Sequence, residues 1–124
     1  MANVLIVDDV EMFRSVVAHA LKGAGHNPVC APDGEAGLAV LETTPVDLVL
    51  LDMAMPKMNG ADFLKRLRAD PRFAALPVVV VSAMSRLPHE TSVTALGAQA
   101  QLLKSRFSLR ELIRHVNELL NVTA

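Results

Sequence analysis

Leu48-Val49-Leu50-Leu51-Asp52 is an unbroken apolar run that ends on a carboxylate. A short, continuously aliphatic run bounded by polar residues describes a strand buried on both faces, as in parallel sheets. The signature recurs along the chain. Val4-Leu5-Ile6-Val7 ends on Asp8-Asp9, Val78-Val79-Val80-Val81 ends on Ser82, and a weaker run over 100–103 ends on Lys104. Residues 46–51 are predicted as the strand that carries Asp52. One further weak strand is expected over 27–31, closed by the turn signal Pro32-Asp33-Gly34.

Segments of helical period separate these runs. The spacing predicts a helix over 11–24, with Met12, Phe13, Val16, Val17, Ala20 and Leu21 on one face and Gly25 at its C-terminal stop. A second helix is expected over 35–43, with Gly37, Val40 and Leu41 inward. A third spans 61–69 and is stopped by Asp70-Pro71. Pro88 opens a fourth, which holds Thr91, Ser92, Val93 and Thr94 and should be the softest element. Ser108 and Glu111 form a capping box for the last helix, whose core face reads Leu109, Leu112, Ile113, Val116, Leu119 and Leu120. Five strands, each followed by a helix, imply an α/β fold: a parallel sheet covered on both faces and joined by right-handed crossovers.

Composition narrows the function classes. The chain has 124 residues, the size of one domain, and no repeat or linker. Apolar residues make up 52% but aromatics only 3%, so aliphatic side chains must fill the core. Twelve basic and 13 acidic residues leave a net charge of −1, with no electrostatic footprint for nucleic acid or an anionic membrane. No apolar stretch is long enough to cross a bilayer, and Met1-Ala2-Asn3 lacks the basic region of a signal peptide, so a cytoplasmic protein is expected. The single cysteine, Cys30, is expected to be a buried small hydrophobe. His19, His26, His89 and His115 are scattered and fit surface or helix positions.

The chemistry gathers where the strands end. In open parallel sheets, ligands bind beyond the carboxyl ends of the strands. Asp8, Asp9, Asp52, Ser82 and Lys104 all fall there. Asp8-Asp9, Ser82 and Lys104 each alone read as ordinary turn, cap or solvated residues, whereas Asp52 is carried straight out of a core strand by Leu48 to Leu51. Three carboxylates in one pocket repel, and a divalent cation relieves this. All-oxygen ligands without a His/Cys cluster favour Mg²⁺ over Zn²⁺. A metal-neutralised carboxylate can attack phosphorus to give an aspartyl phosphate. Phosphoryl transfer then needs positioning and charge stabilisation, which Mg²⁺, the Lys104 ammonium and the Ser82 hydroxyl are equipped to supply.

These residues, in this order, resemble the response-regulator receiver domain of two-component signalling over nearly the whole chain. The likeness is carried by Val4 to Asp9, by Leu-Leu-Asp-Met-Ala-Met-Pro-Lys-Met-Asn-Gly at 50–60, by Val-Val-Val-Val-Ser-Ala at 78–83 and by Lys104. It implies a flavodoxin-like (βα)5 three-layer sandwich with strand order 2-1-3-4-5. Asp52 would be the phosphoacceptor and, with Asp9, a direct Mg²⁺ ligand. Asp8 would bind through water, and the Ala54 carbonyl would be a further ligand. Ser82 matches the switch hydroxyl, Ala83 the small residue beside the phosphate, Lys104 the phosphate-pairing lysine, and Pro56 and Gly60 the loop after the acceptor.

The resemblance further implies a stand-alone regulatory domain over 1–124 without an output domain. A histidine kinase or phosphotransfer protein would phosphorylate it, and it would signal by binding a downstream protein, as a monomer or a phosphorylation-linked dimer. Catalysis would be limited to its own phosphorylation and slow dephosphorylation. Two departures concern the readout. Gln101 stands where the family usually has Tyr or Phe, and Lys104 is followed by Ser105, not proline. An output face that switches without a buried aromatic is therefore expected, and so is the alternative of a degenerate receiver acting as a phosphorylation-independent interaction module. An aspartyl phosphatase of the haloacid-dehalogenase kind needs a second Asp where this chain has Ala54, and it needs a lid domain. A flavin binder of similar fold would want a stacking Trp or Tyr, and the chain has neither.

Overall fold

The computed structural model describes residues 2–53, 55, 58–82, 98, 100–103 and 108–120, with only the backbone of Ser82 and Leu103. Its strands are β1 (Asn3–Val7), β2 (Asn27–Ala31), β3 (Leu48–Leu51), β4 (Val78–Ser82) and β5 (Ala100–Leu103). The helices among the described residues are α1 (Glu11–Gly23), α2 (Gly34–Thr43), α3 (Gly60–Ala69) and α4 (Leu109–Leu119), with a 3-10 turn over Pro71–Phe73. The helix expected after Pro88 lies outside the described residues. All strand pairs are parallel and their order is β2-β1-β3-β4-β5, as expected for a flavodoxin-like sheet.

The period of two along each strand divides the core into two layers. Leu5, Val7, Val49, Leu51, Val78 and Val80 pack with Leu41, Phe63, Leu64 and Leu67 of α2 and α3. Val4, Ile6, Leu48, Leu50, Val79 and Val81 pack with Val17, Leu21, Leu112 and Val116 of α1 and α4. Both faces are covered, which is why the strand sequences show no polar alternation.

Local signals set most boundaries. Asp33 Oδ1 accepts the Ala36 N–H at 2.8 Å and opens α2, while Asn59 Oδ1 does the same for α3 through Asp62. Ser108 Oγ accepts from the Glu111 N–H at 3.1 Å, so the expected cap of the last helix is present. Gly25, with φ of 88°, ends α1 in a Schellman arrangement: its N–H donates to Lys22 O and that of His26 to Leu21 O.

Four sequence expectations need correction. Met12 is 76% exposed and Val16 46%, because α1 meets the sheet only along the strip Phe13, Val17 and Leu21. Leu109, at the first turn of α4, is 38% exposed, since the helix enters the core only from Leu112 onward. Cys30 is exposed, not buried: it lies on β2, the edge strand, between partly buried Val29 and buried Ala31. The strand over 46–51 is also shorter, since Val46 and Asp47 precede its ladder.

At the amino edge of the sheet, Arg72 ties α2 to the 3-10 turn. It donates to Glu42 Oε1 at 2.7 Å and to Asp70 Oδ2 at 2.7 Å, with Phe73 under its guanidinium at 4.9 Å. Hydrogen bonding from Arg72 holds both the Glu42 and the Asp70 carboxyls below their usual values. Groups with depressed folded-state pKa values stabilise above the unfolded pKa and lose that contribution as pH falls through the folded one. NMR titration should therefore place both midpoints below the ordinary carboxylate range, and Arg72→Met should raise both; an unmoved Glu42 in that variant would contradict the bridge. In the core, Phe63→Ala removes a fully buried ring. It should cost about 3–5 kcal/mol in urea unfolding.

Candidate metal centre

The strand ladders determine what meets at the carboxyl edge. Val7 of β1 pairs with Leu51 of β3, so the next residues, Asp8 and Asp52, emerge side by side. Each is fixed by one last rung: Asp52 N–H donates to Val7 O at 2.9 Å, and Asp8 N–H to Ala31 O at 3.1 Å. Ser82 ends β4 at the same edge, in register with Leu103 of β5. Lys104, the next residue, lies outside the described residues, as does Ala54.

Asp8, Asp9 and Asp52 come together as a cluster in which one carboxylate oxygen from each lies within 4.8 Å of the others. Asp8 and Asp52 are only 2% and 4% exposed, whereas Asp9 is exposed. Burying two like charges side by side is costly unless a counter-charge joins them. Oxygen ligands of one Mg²⁺ ion lie about 3–4 Å apart, given metal–oxygen distances of about 2.1 Å. The cluster fits a small hard cation of that kind with modest closure, or with one ligand acting through water.

The β1–α1 loop is held by its own side chains. Asp8 Oδ1 accepts the Val10 N–H at 2.8 Å. Arg14 Nη1 donates to the Asp8 carbonyl at 2.5 Å. The loop after Asp52 is held by close packing. Met53, Met55 and Met58 are each under a tenth exposed, and Gly60 N–H donates to Met53 O at 3.1 Å. A Cβ on Gly60 would stand 2.7 Å from the Asp52 carbonyl oxygen and 2.5 Å from Met53 Sδ. A Cβ on Gly34, at the start of α2, would meet only the flexible Met58 side chain, its Sδ at 2.8 Å.

Sequence reasoning matched Gly60 to a loop position, but the steric reason for glycine there is visible only in the packing. It missed Arg14, which sits beside Phe13 on a helix and has the pattern of an ordinary solvated cation. Gln101, partly buried on β5, pairs with Val80.

Known proteins resemble this chain in sequence and fold. A family profile described as the response regulator receiver domain matches residues 4–117. The transcriptional regulatory protein CpxR of Klebsiella pneumoniae is 38% identical over 120 residues, covering 97% of this chain and 50% of that protein. The sensory transduction protein RegX3 of Mycobacterium tuberculosis is 35% identical over 120 residues, again 97% of this chain and 51% of RegX3. The chain thus spans about half the length of these curated relatives. Among solved structures, the chemotaxis response regulator CheY4 of Vibrio cholerae superimposes with a TM-score of 0.87 at 29% identity, covering 96% of this chain and 98% of that one. A receiver protein from Pseudomonas putida gives a TM-score of 0.87 at 31% identity, covering 94% and 96%.

The two glycines provide a graded test of how tightly the acidic loop is held. Gly60→Ala meets backbone atoms and should cost about 1–3 kcal/mol. Gly34→Ala meets a side chain that can turn aside and should cost clearly less. Equal urea midpoints for the two variants would show that the loop yields freely.

Proposed function

This chain belongs to the response regulator receiver family, and from that premise we propose that Asp52 accepts a phosphoryl group from a histidine kinase or phosphotransfer protein. Receiver domains are regulatory phosphoacceptors that bind Mg²⁺ at an acidic pocket, and the observation that carries the proposal here is the Asp8, Asp9 and Asp52 cluster. Asp9 and Asp52 would hold Mg²⁺ directly, Asp8 through water, and the Ala54 carbonyl would complete the protein's share. The bound ion supplies positive charge against the phosphoryl oxygens and relieves repulsion among the carboxylates.

Asp52 is the nucleophile. One of its carboxylate oxygens forms a bond to phosphorus as the phosphorus–nitrogen bond of the donor phosphohistidine breaks, and the imidazole leaves with its electron pair. The Lys104 ammonium neutralises a phosphoryl oxygen, and the Ser82 hydroxyl donates to another. Burial of Asp52 limits water at the acyl phosphate, and the apolar side-chain type of Met84, two residues after Ser82 in sequence, offers no base for a hydrolytic water. The phosphorylated state is therefore expected to last toward the long end of the family range, with self-catalysed hydrolysis resetting it.

The signal is a protein–protein one, delivered to a downstream protein in the cytoplasm by a monomer or a phosphorylation-linked dimer. Gln101 on β5 replaces the aromatic that usually reports phosphorylation, so the readout runs through polar contacts and not ring burial. The same replacement favours a second reading, a degenerate receiver that binds its partner regardless of phosphorylation.

Intact mass after incubation with acetyl phosphate and Mg²⁺ separates the two. One added phosphoryl group, absent from Asp52→Asn and absent without Mg²⁺, is the expected result. No addition, under conditions that label another receiver, would establish the degenerate module.

A further inference from the structure

Arg14 closes the first turn of α1 through its backbone, donating to Val10 O at 3.1 Å, while its side chain runs back past the start of the helix. There, partly buried, Nη1 donates to the Asp8 carbonyl at 2.5 Å. That carbonyl belongs to the planar peptide joining Asp8 to Asp9. Its orientation sets the direction in which the Asp9 side chain leaves the backbone. Of the three clustered carboxylates, Asp9 is the exposed one, with no core packing to hold it. Val10, the N-cap of α1, contributes no side-chain cap. Placement of Asp9 therefore depends on two bonds, Asp8 Oδ1 to Val10 N–H and Arg14 to Asp8 O.

We propose that Arg14 is a positioning residue for the cation site, fixing the Asp8–Asp9 peptide so that Asp9 is preset to ligate the divalent ion. The inference rests on the proposed Mg²⁺ site. A guanidinium near the site has two opposed effects: as a clamp it favours metal binding, and as a positive charge it disfavours it. The clamp dominates because the contact is short, partly buried and made to a neutral carbonyl, so its energy is directional, whereas the charge acts through solvent at the exposed side of the cluster. A planar guanidinium holds a direction in a way that a freely rotating ammonium does not.

The test is the Mg²⁺ dissociation constant by calorimetry, with ¹H–¹⁵N spectra of the Asp9 and Val10 amides in the metal-free protein. Arg14→Ala and Arg14→Lys should both weaken binding about tenfold, the scale on which supporting residues tune metal sites. Both should shift those two amides before metal is added. Guanidinium ion at millimolar concentration should restore affinity to Arg14→Ala but not to Arg14→Lys, whose side chain occupies the space. Wild-type affinity or tighter in Arg14→Ala would overturn the inference, as would loss in Arg14→Ala with wild-type affinity in Arg14→Lys, which would show that the planar guanidinium is not what holds the peptide. If Arg14→Ala fails to fold, Arg14→Lys decides by the same criterion. Failure of the wild-type protein to bind Mg²⁺ would instead sink the metal site itself, and with it the proposed function.

Discussion

The register between β1 and β3 is the constraint from which the site follows. Pairing Val7 with Leu51 places Asp8 beside Asp52 at the carboxyl edge. A slip of one residue would turn every side chain of a strand to the other face. Here such a slip would exchange the Leu5 and Val7 set, which packs against α2 and α3, for the Val4 and Ile6 set, which packs against α1 and α4. Because the two layers are built from different helices, the register is specified along the full length of the strands. The placement of the carboxylates is thus enforced by aliphatic packing remote from them.

That enforcement explains how the protein sustains an unfavourable charge arrangement. Two carboxylates in the cluster are almost wholly buried, and such a pair destabilises the fold unless something compensates. Part of the compensation is built in, as the Val10 N–H meets Asp8 Oδ1. The cluster is also suited to a cation, whose binding would couple to the order of the residues that carry it. The packing beside Asp52 fits this account. Gly60 approaches the Asp52 carbonyl too closely for any side chain, so the backbone there packs against the residue that carries the carboxylate.

Periodicity made the sheet and its flanking helices legible, because strands buried on both faces leave continuous aliphatic runs. The three acidic residues were legible for the same reason, as Asp52 and the Asp8-Asp9 pair directly follow such runs. What failed was the width of helical faces and the edge of the sheet. Met12 and Val16 are apolar yet exposed, since a stripe on a sequence does not reveal how narrow the contact with a sheet will be. Cys30 was assigned by residue type, and burial at that strand depends on its position at the sheet edge, which comes from topology and not from the strand's own text. Arg14 was invisible because its role depends on a side chain folding back over a helix start.

The two edges of the sheet divide the work of the molecule. At the amino edge, Asn3 N–H donates to Asp47 Oδ2, Asn3 Nδ2 to Pro45 O, and Asn27 Nδ2 to Asn3 Oδ1, while Arg72 bridges Glu42 and Asp70. Opposite charges and complementary amides meet there. At the carboxyl edge three carboxylates come together, and Gly60 lies against the Asp52 carbonyl with no room for a side chain. Clustered carboxylates at one end, with opposite charges and amides paired at the other, let the sheet carry a site suited to a cation without loosening its other edge. A ligand that neutralised the carboxyl edge would act on the clustered carboxylates there, while the hydrogen bonds and ion pairs of the amino edge would be left as they are.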